Sequence, residues 1–168
     1  MAQANGAQLA AVTRCAAIQH IASYFQEVGL SREIHKESKE ASMPLFRHVM
    51  VGANDLAESK KFYDAIFHVL GLSPGTDEVD KCRWIGDGGQ FLIKLPIDGE
   101  AASHANGGTI GFDCSSTSMV DEWYSAGMSS GGTTITAPEI SDRGIYKLYL
   151  AYIRDPVGNK LNATYKLP

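Results

Sequence analysis

What the chain lacks narrows its class before any motif is read. Of its 168 residues only 3 are cysteine, Cys15, Cys82 and Cys114. They are odd in number, widely spaced and without a CxxC pair, so neither a disulfide framework nor a structural zinc site is expected. Reduced, buried thiols in a cytoplasmic protein are the plain reading. No run approaches the roughly 18 apolar residues that span a bilayer. The apolar part Leu9 to Ile21 is broken by Arg14 and has no basic segment before it, which argues against a signal peptide. Positive charge is also short: 15 Lys and Arg against 19 Asp and Glu leave a net charge of -4 and a pI near 5.7. Such a chain has no general attraction to nucleic acid or to an anionic membrane surface. The glycine pairs at Gly88 and Gly107 lack the spacing of a phosphate cradle, and no GxSxG elbow or Ser-His-Asp arrangement is present.

What is there suits a soluble globular protein. Hydrophobic residues make up 44% and charged residues 20%, enough for one domain or two small modules sharing a core. Residues 1–42 differ in character from the rest. Leu9, Val12, Ala16, Ile21, Phe25 and Val28 recur at helical spacing and Gly29 can end the helix, which predicts an amphipathic arm of about five turns. The charged segment SREIHKESKEAS follows as a solvated linker. The compact domain is then expected over residues 43–168.

From Phe46 to Ala53 the β-forming run FRHVMVGA predicts a buried strand. Asn54 or Asp55 caps a helix whose buried face is Leu56, Phe62, Ile66, Phe67 and Leu70, and Gly71 ends it. Strands are predicted over Leu72 to Val79, Cys82 to Gly86 and Gln90 to Pro96, the last two forming a hairpin at Asp87, Gly88 and Gly89. After a polar connection the plan repeats. Thr109 to Cys114 is a strand, Met119, Val120, Trp123, Tyr124 and Met128 mark a helix, and Thr133 to Ala137, Tyr146 to Arg154 and Lys160 to Lys166 are strands. Each copy reads βαβββ, the first over about 45–97 and the second over about 107–166.

Gap-free superposition tests the repeat. His48 falls on Thr109 at an offset of 109 − 48 = 61, which also places Phe62 and Tyr63 on Trp123 and Tyr124. Paired aromatics on both helices point to an internal duplication. Aligning Gly89 with Gly158 puts Ile93 on Asn162, on weaker anchors.

The stretches HVMVGANDLAESKKFYDAIFHVLGL and AYIRDPVGNKLNA, with the two βαβββ units between them, resemble the glyoxalase/bleomycin-resistance/dioxygenase group, the vicinal oxygen chelate superfamily. The resemblance implies an α+β fold in which two βαβββ modules form a curved mixed-sheet cleft, here with an N-terminal amphipathic helix arm added. It also implies a homodimer, and a divalent metal held by the first and last strands of each module. Those positions fall on His48, Ile93, Thr109 and Asn162. Only His48 is a good ligand, and a mono-metal site needs about three from His, Asp or Glu. No cofactor is therefore expected, unless His104 or Asp113 replaces a missing ligand. The plain alternative for His48 is a histidine hydrogen-bonded within the core.

Alternation along a curved strand makes Met50, Trp84, Tyr146, Tyr149 and Tyr152 candidates to line the cleft, against a role in ordinary packing. Tyr149 and Tyr152 cannot both face it, being an odd number of positions apart. The positive groups for an anionic ligand are Lys94, Arg143 and Arg154, although Arg154 sits beside Asp155, where a local ion pair accounts for it. Glu139 to Tyr146 is a polar excursion that as a loop would cover the cleft mouth, bringing Asp142 and Arg143 over a ligand. The expected function is binding a small organic molecule, or acting on it with acid/base groups such as His48 and Tyr149. Ligand contacts are expected from Met50, Trp84, Ile93, Thr109, Asp113, Arg143 and Asn162. Two alternatives stand beside it: a metal-dependent lyase or dioxygenase with non-standard ligands, and an interaction module dimerising through the N-terminal helix.

Overall fold

The computed structural model describes residues 45–168; the helix expected over Leu9 to Val28 and its linker lie outside them. The first module contains β1 (His48–Gly52), α1 (Leu56–Val69), β2 (Thr76–Asp77), β3 (Lys81–Gly86) and β4 (Gly89–Lys94). The second contains β5 (Ile110–Asp113), α2 (Thr117–Ser129), β6 (Thr133–Asp142), β7 (Lys147–Arg154) and β8 (Lys160–Lys166). Each module folds into its own four-stranded mixed sheet, ordered β1-β4-β3-β2 and β5-β8-β7-β6. In each sheet the opening strand runs parallel to the last, and the other pairs are antiparallel.

Both helices start and stop for local reasons. The Asp55 carboxylate accepts the Glu58 N–H at 2.9 Å to begin α1, and the Ser116 hydroxyl accepts the Met119 N–H at 3.1 Å to begin α2. At the far ends Gly71 and Gly131 take φ of 83° and 102°, which a side chain would resist, and the following N–H groups return to Phe67 and Gly127 carbonyls. Two expected boundaries move. The strand expected over Leu72 to Val79 is only Thr76–Asp77, since Ser73, Pro74 and Gly75 do not support a ladder. Strand β6 runs on to Asp142, so Glu139 to Asp142 pair with Lys147 to Leu150 as a hairpin and do not form a covering loop.

One core joins the modules. Phe62, Tyr63, Ile66 and Phe67 from α1 pack with Trp84, Phe91 and Ile93, while Val120 and Trp123 from α2 pack with Ile153, Leu161 and Ala163, all in one contiguous cluster. Aromatic contacts cross the seam, with the Phe67 and Phe112 rings edge to face at 5.4 Å between centroids. Tyr63 also crosses it, donating its hydroxyl to Asp155 at 2.7 Å.

Candidate functional site

The helices cover one face of each sheet and leave the other uncovered among the described residues. In the first sheet Phe91, Ile93, Cys82 and Trp84 point toward the helix and are buried, so alternation sends His48, Met50, Gln90, Leu92 and Lys94 to the opposite, open face. In the second sheet Ala151, Ile153, Leu161 and Ala163 face the helix and are buried, and Tyr152, Arg154, Lys160, Asn162 and Thr164 lie half-buried on the opposite face, beside a buried Leu150. The open face of the first sheet carries apolar surface, with Met50 50% and Ile85 67% exposed. Beside Met50, at the ends of β1 and β4, lies a hollow of about 430 Å³ walled by Gly52, Lys94, Leu95, Pro96 and Ile97. A second hollow of about 380 Å³ opens on the helix side at the module seam, against Phe67, Trp84, Phe91 and Phe112.

The register corrects the sequence superposition. Met50 pairs with Leu92 and Gly111 pairs with Asn162, whereas Val51 pairs with Ile93 and Phe112 with Ala163. The offset of 61 carried by His48 and Thr109 therefore matches Leu92, not Ile93, with Asn162. The alignment through Gly89 and Gly158 slipped by one residue, which flips a side chain to the other face. Ile93 is fully buried beneath α1, and its counterpart Ala163 is equally buried.

Other expected site residues separate the same way. Tyr149 lies on the helix face and donates to the Asp121 carboxylate at 2.8 Å, a bond that raises its pKa. It is therefore not brought together with His48. Trp84 is also on the helix face, its indole N–H donating to Asp64 at 2.9 Å. That carboxylate is held below its ordinary range: burial opposes ionisation, and the Gly75 N–H, Lys60 and Trp84 more than compensate. His48 is exposed at the start of β1, not a buried core histidine, and Met50 follows it on the same face. Thr109 immediately precedes β5 and Asp113 ends it, both exposed. Arg143 is exposed in the β6–β7 turn. Lys94 is paired with Asp80, and no Arg154–Asp155 ion pair forms; Arg154 donates to the Gly158 carbonyl at 2.6 Å.

Asn162 is tied into its own sheet. Its amide donates to the Ala151 and Ala163 carbonyls at 3.1 and 3.3 Å, and its oxygen accepts the Thr164 hydroxyl at 2.6 Å. His104 lies with its ring against Gly158, where an added Cβ would come within 2.8 Å of Nδ1. Among the described residues no three His, Cys, Asp or Glu side chains gather as a metal would require. The donors gathered by the described residues do not fit a divalent metal. The two described thiols are held protonated, burial pushing Cys82 and Cys114 up to about 11.

Residues 45–163 match the glyoxalase/bleomycin resistance protein/dioxygenase superfamily. The chain belongs to that superfamily. It is 46% identical to a glyoxalase/bleomycin resistance protein from Albidiferax ferrireducens T118, over 71% of this chain and 98% of that one, with a TM-score of 0.69. A glyoxalase/bleomycin resistance protein/dioxygenase family enzyme from Burkholderia phytofirmans PsJN shares the fold at 18% identity, over 72% and 98% of the two chains, with a TM-score of 0.57. A glyoxalase-related enzyme from Fulvimarina pelagi does so at 16% identity, over 73% and 88%, with a TM-score of 0.60. No curated protein matches the chain. Superfamily membership names a scaffold that hosts several chemistries, so the activity has to be argued from the side chains of this chain.

Sequence reasoning named Tyr149 as the acid/base tyrosine of the cleft. Tyr152, and not Tyr149, shares a face with Asn162, a choice that alternation allowed but could not make. Lys160 is absent from the positive groups that the sequence nominates. Its signal was available, since it lies two residues before Asn162 on the same strand and so on the same face.

Proposed function

We propose that this chain binds a small organic molecule on the open faces of its two sheets, without a metal, and that a second copy closes those faces into a cleft. The observation that carries the reading is the exposed apolar surface at Met50 and Ile85, beside His48 and the hollow of about 430 Å³. A sheet face this apolar calls for a cover or a ligand. Dimerisation is supported by β1 and β5. Each is a parallel-paired strand at the edge of its sheet with no further strand beside it among the described residues, a position that invites edge pairing. A β1 edge against the β5 edge of a second copy would bring Met50 and His48 into one cleft with Tyr152 and Asn162. In that cleft Met50 and Leu92 hold an apolar body, and His48 supplies an imidazole that accepts or donates a proton.

The test combines elemental analysis of protein purified without chelator with methyl NMR of Met50 against a library of small aromatic and aliphatic fragments. The expected outcome is sub-stoichiometric metal and fragment-induced shifts at Met50 that Leu92→Ala weakens. Stoichiometric transition metal that disappears in His48→Ala would replace this reading with a metal-dependent lyase or dioxygenase.

A further inference from the structure

The basic side chains of the two open faces are treated differently. On the first sheet Lys81 and Arg83 both pair with Glu78, and Lys94 pairs with Asp80. On the second sheet Arg154 and Lys160 stand directly opposite each other in the β7–β8 register, and the ion pairs among the described residues include neither. Like charges placed opposite each other in a ladder repel, so a pair left without an acid is stabilised by an anion between them.

The nearby acids do not serve that need. Asp155 adjoins Arg154, but it is only 4% exposed, and its two oxygens accept from Tyr63, Val157, Gly158 and both nitrogens of Asn159. Asp113 pairs with Thr164, four residues along β8 from Lys160 and so about 13 Å away. The groups that do surround the pair would help to hold an anion. Arg154 is fixed by one N–H on the Gly158 carbonyl at 2.6 Å, with its other donors left over. Lys160 Nζ stands 5.8 Å from the centre of the Tyr152 ring, and the His104 imidazole lies against Gly158 at the same turn. Tyr152, opposite Asn162 in the ladder, offers a flat wall beside the charge.

We propose that Lys160 and Arg154 bind an oxyanion, the carboxylate or phosphate of the small molecule taken up on this face. The inference rests on the cleft reading and adds the charge of its ligand. Oxyanion geometry suits the pair, because the guanidinium presents a planar fork and the ammonium a compact charge. Tyr152 favours a planar body next to the acid group.

Titration of the full-length protein with benzoate, its neutral counterpart benzamide, and inorganic phosphate, at constant ionic strength and followed by NMR, tests this. Benzoate and phosphate are expected to bind, at least tenfold more weakly in Lys160→Gln, and within twofold of the parent in Lys166→Gln. Lys166 is a fair control because it also stacks over a ring, that of Tyr146, at the other end of β8. Arg154→Lys, which keeps the charge without the fork, should weaken benzoate by an intermediate factor, and a melting curve for each variant separates loss of site from loss of fold. Equal affinity for benzoate and benzamide, or equal losses in Lys160→Gln and Lys166→Gln, would overturn the anion site while leaving the cleft intact. Phosphate bound through Lys160 with neither aromatic probe bound would keep the anion site and overturn the cleft. No binding of any probe overturns both.

Discussion

Among the described residues Asp155 accepts more hydrogen bonds than any other side chain. One oxygen takes the N–H groups of Val157, Gly158 and Asn159 and so builds the β7–β8 turn, while the other takes the Tyr63 hydroxyl from α1 and the Asn159 amide. A buried carboxylate is costly unless it is fully hydrogen-bonded, and this one is. Asp155→Ala strips five donors of their acceptor at once, and we expect a loss of about 3 kcal/mol or more in chemical denaturation. Tyr63→Phe removes one of those bonds and is expected to cost about 1–2 kcal/mol. A loss in Tyr63→Phe as large as that in Asp155→Ala would show that the seam, not the turn, dominates. Within DPVGN the place of Asp155 in a turn follows from local composition; its bond to Tyr63, 92 positions earlier, is a long-range fact that no local pattern encodes.

The helices meet through an absence. Gly127 on α2 has no side chain because Ile153 Cδ1 would lie 2.4 Å from its Cβ, with Ile66 of α1 at 3.3 Å. In an open helix Gly→Ala would add stability of up to about 1 kcal/mol. Here overpacking typically costs about 1–3 kcal/mol, so Gly127→Ala is expected to lower stability by about 1 kcal/mol net. Ile153→Val in the same background should restore part of that loss, since it removes the obstructing methyl; no recovery in a double-mutant cycle would count against the steric account. Both helices were legible from their apolar faces, and α1 also from its cap and its terminal glycine. The strands were legible in number and order but not in extent: β6 continues through Glu139 to Asp142 because β7 is there to pair with it, which composition alone did not signal.

At the scale of the whole molecule, stability should fall in acid because of three carboxylates in the first module, one on α1 and two in the β2–β3 turn. Asp64, Glu78 and Asp80 all have lowered pKa values. In Asp64 burial opposes ionisation and is outweighed by Gly75, Lys60 and Trp84, while Glu78 is lowered first by Lys81 and Asp80 first by Lys94. A carboxylate with a folded pKa below its unfolded value adds stability that is fully present above the unfolded pKa and is lost as pH falls through the folded one. We therefore expect the melting temperature to hold down to about pH 4 and drop below it, with a shallower drop in Asp64→Asn. An identical acid slope in that variant would assign the effect to other groups.

The sequence by itself determined the superfamily, the βαβββ repeat and the ends of α1, because caps, turn glycines and periodic apolar residues are read from neighbours a few positions apart. Only the tertiary structure decided which face each strand residue takes. The slip at β4 shows why: a register error of one residue exchanges Ile93 for Leu92 and core for open face, and the register is set by cross-strand pairing with β1 and by burial against α1. For the same reason Tyr152 displaced Tyr149, and the facing pair of Arg154 and Lys160 came into view only once β7 and β8 lay side by side.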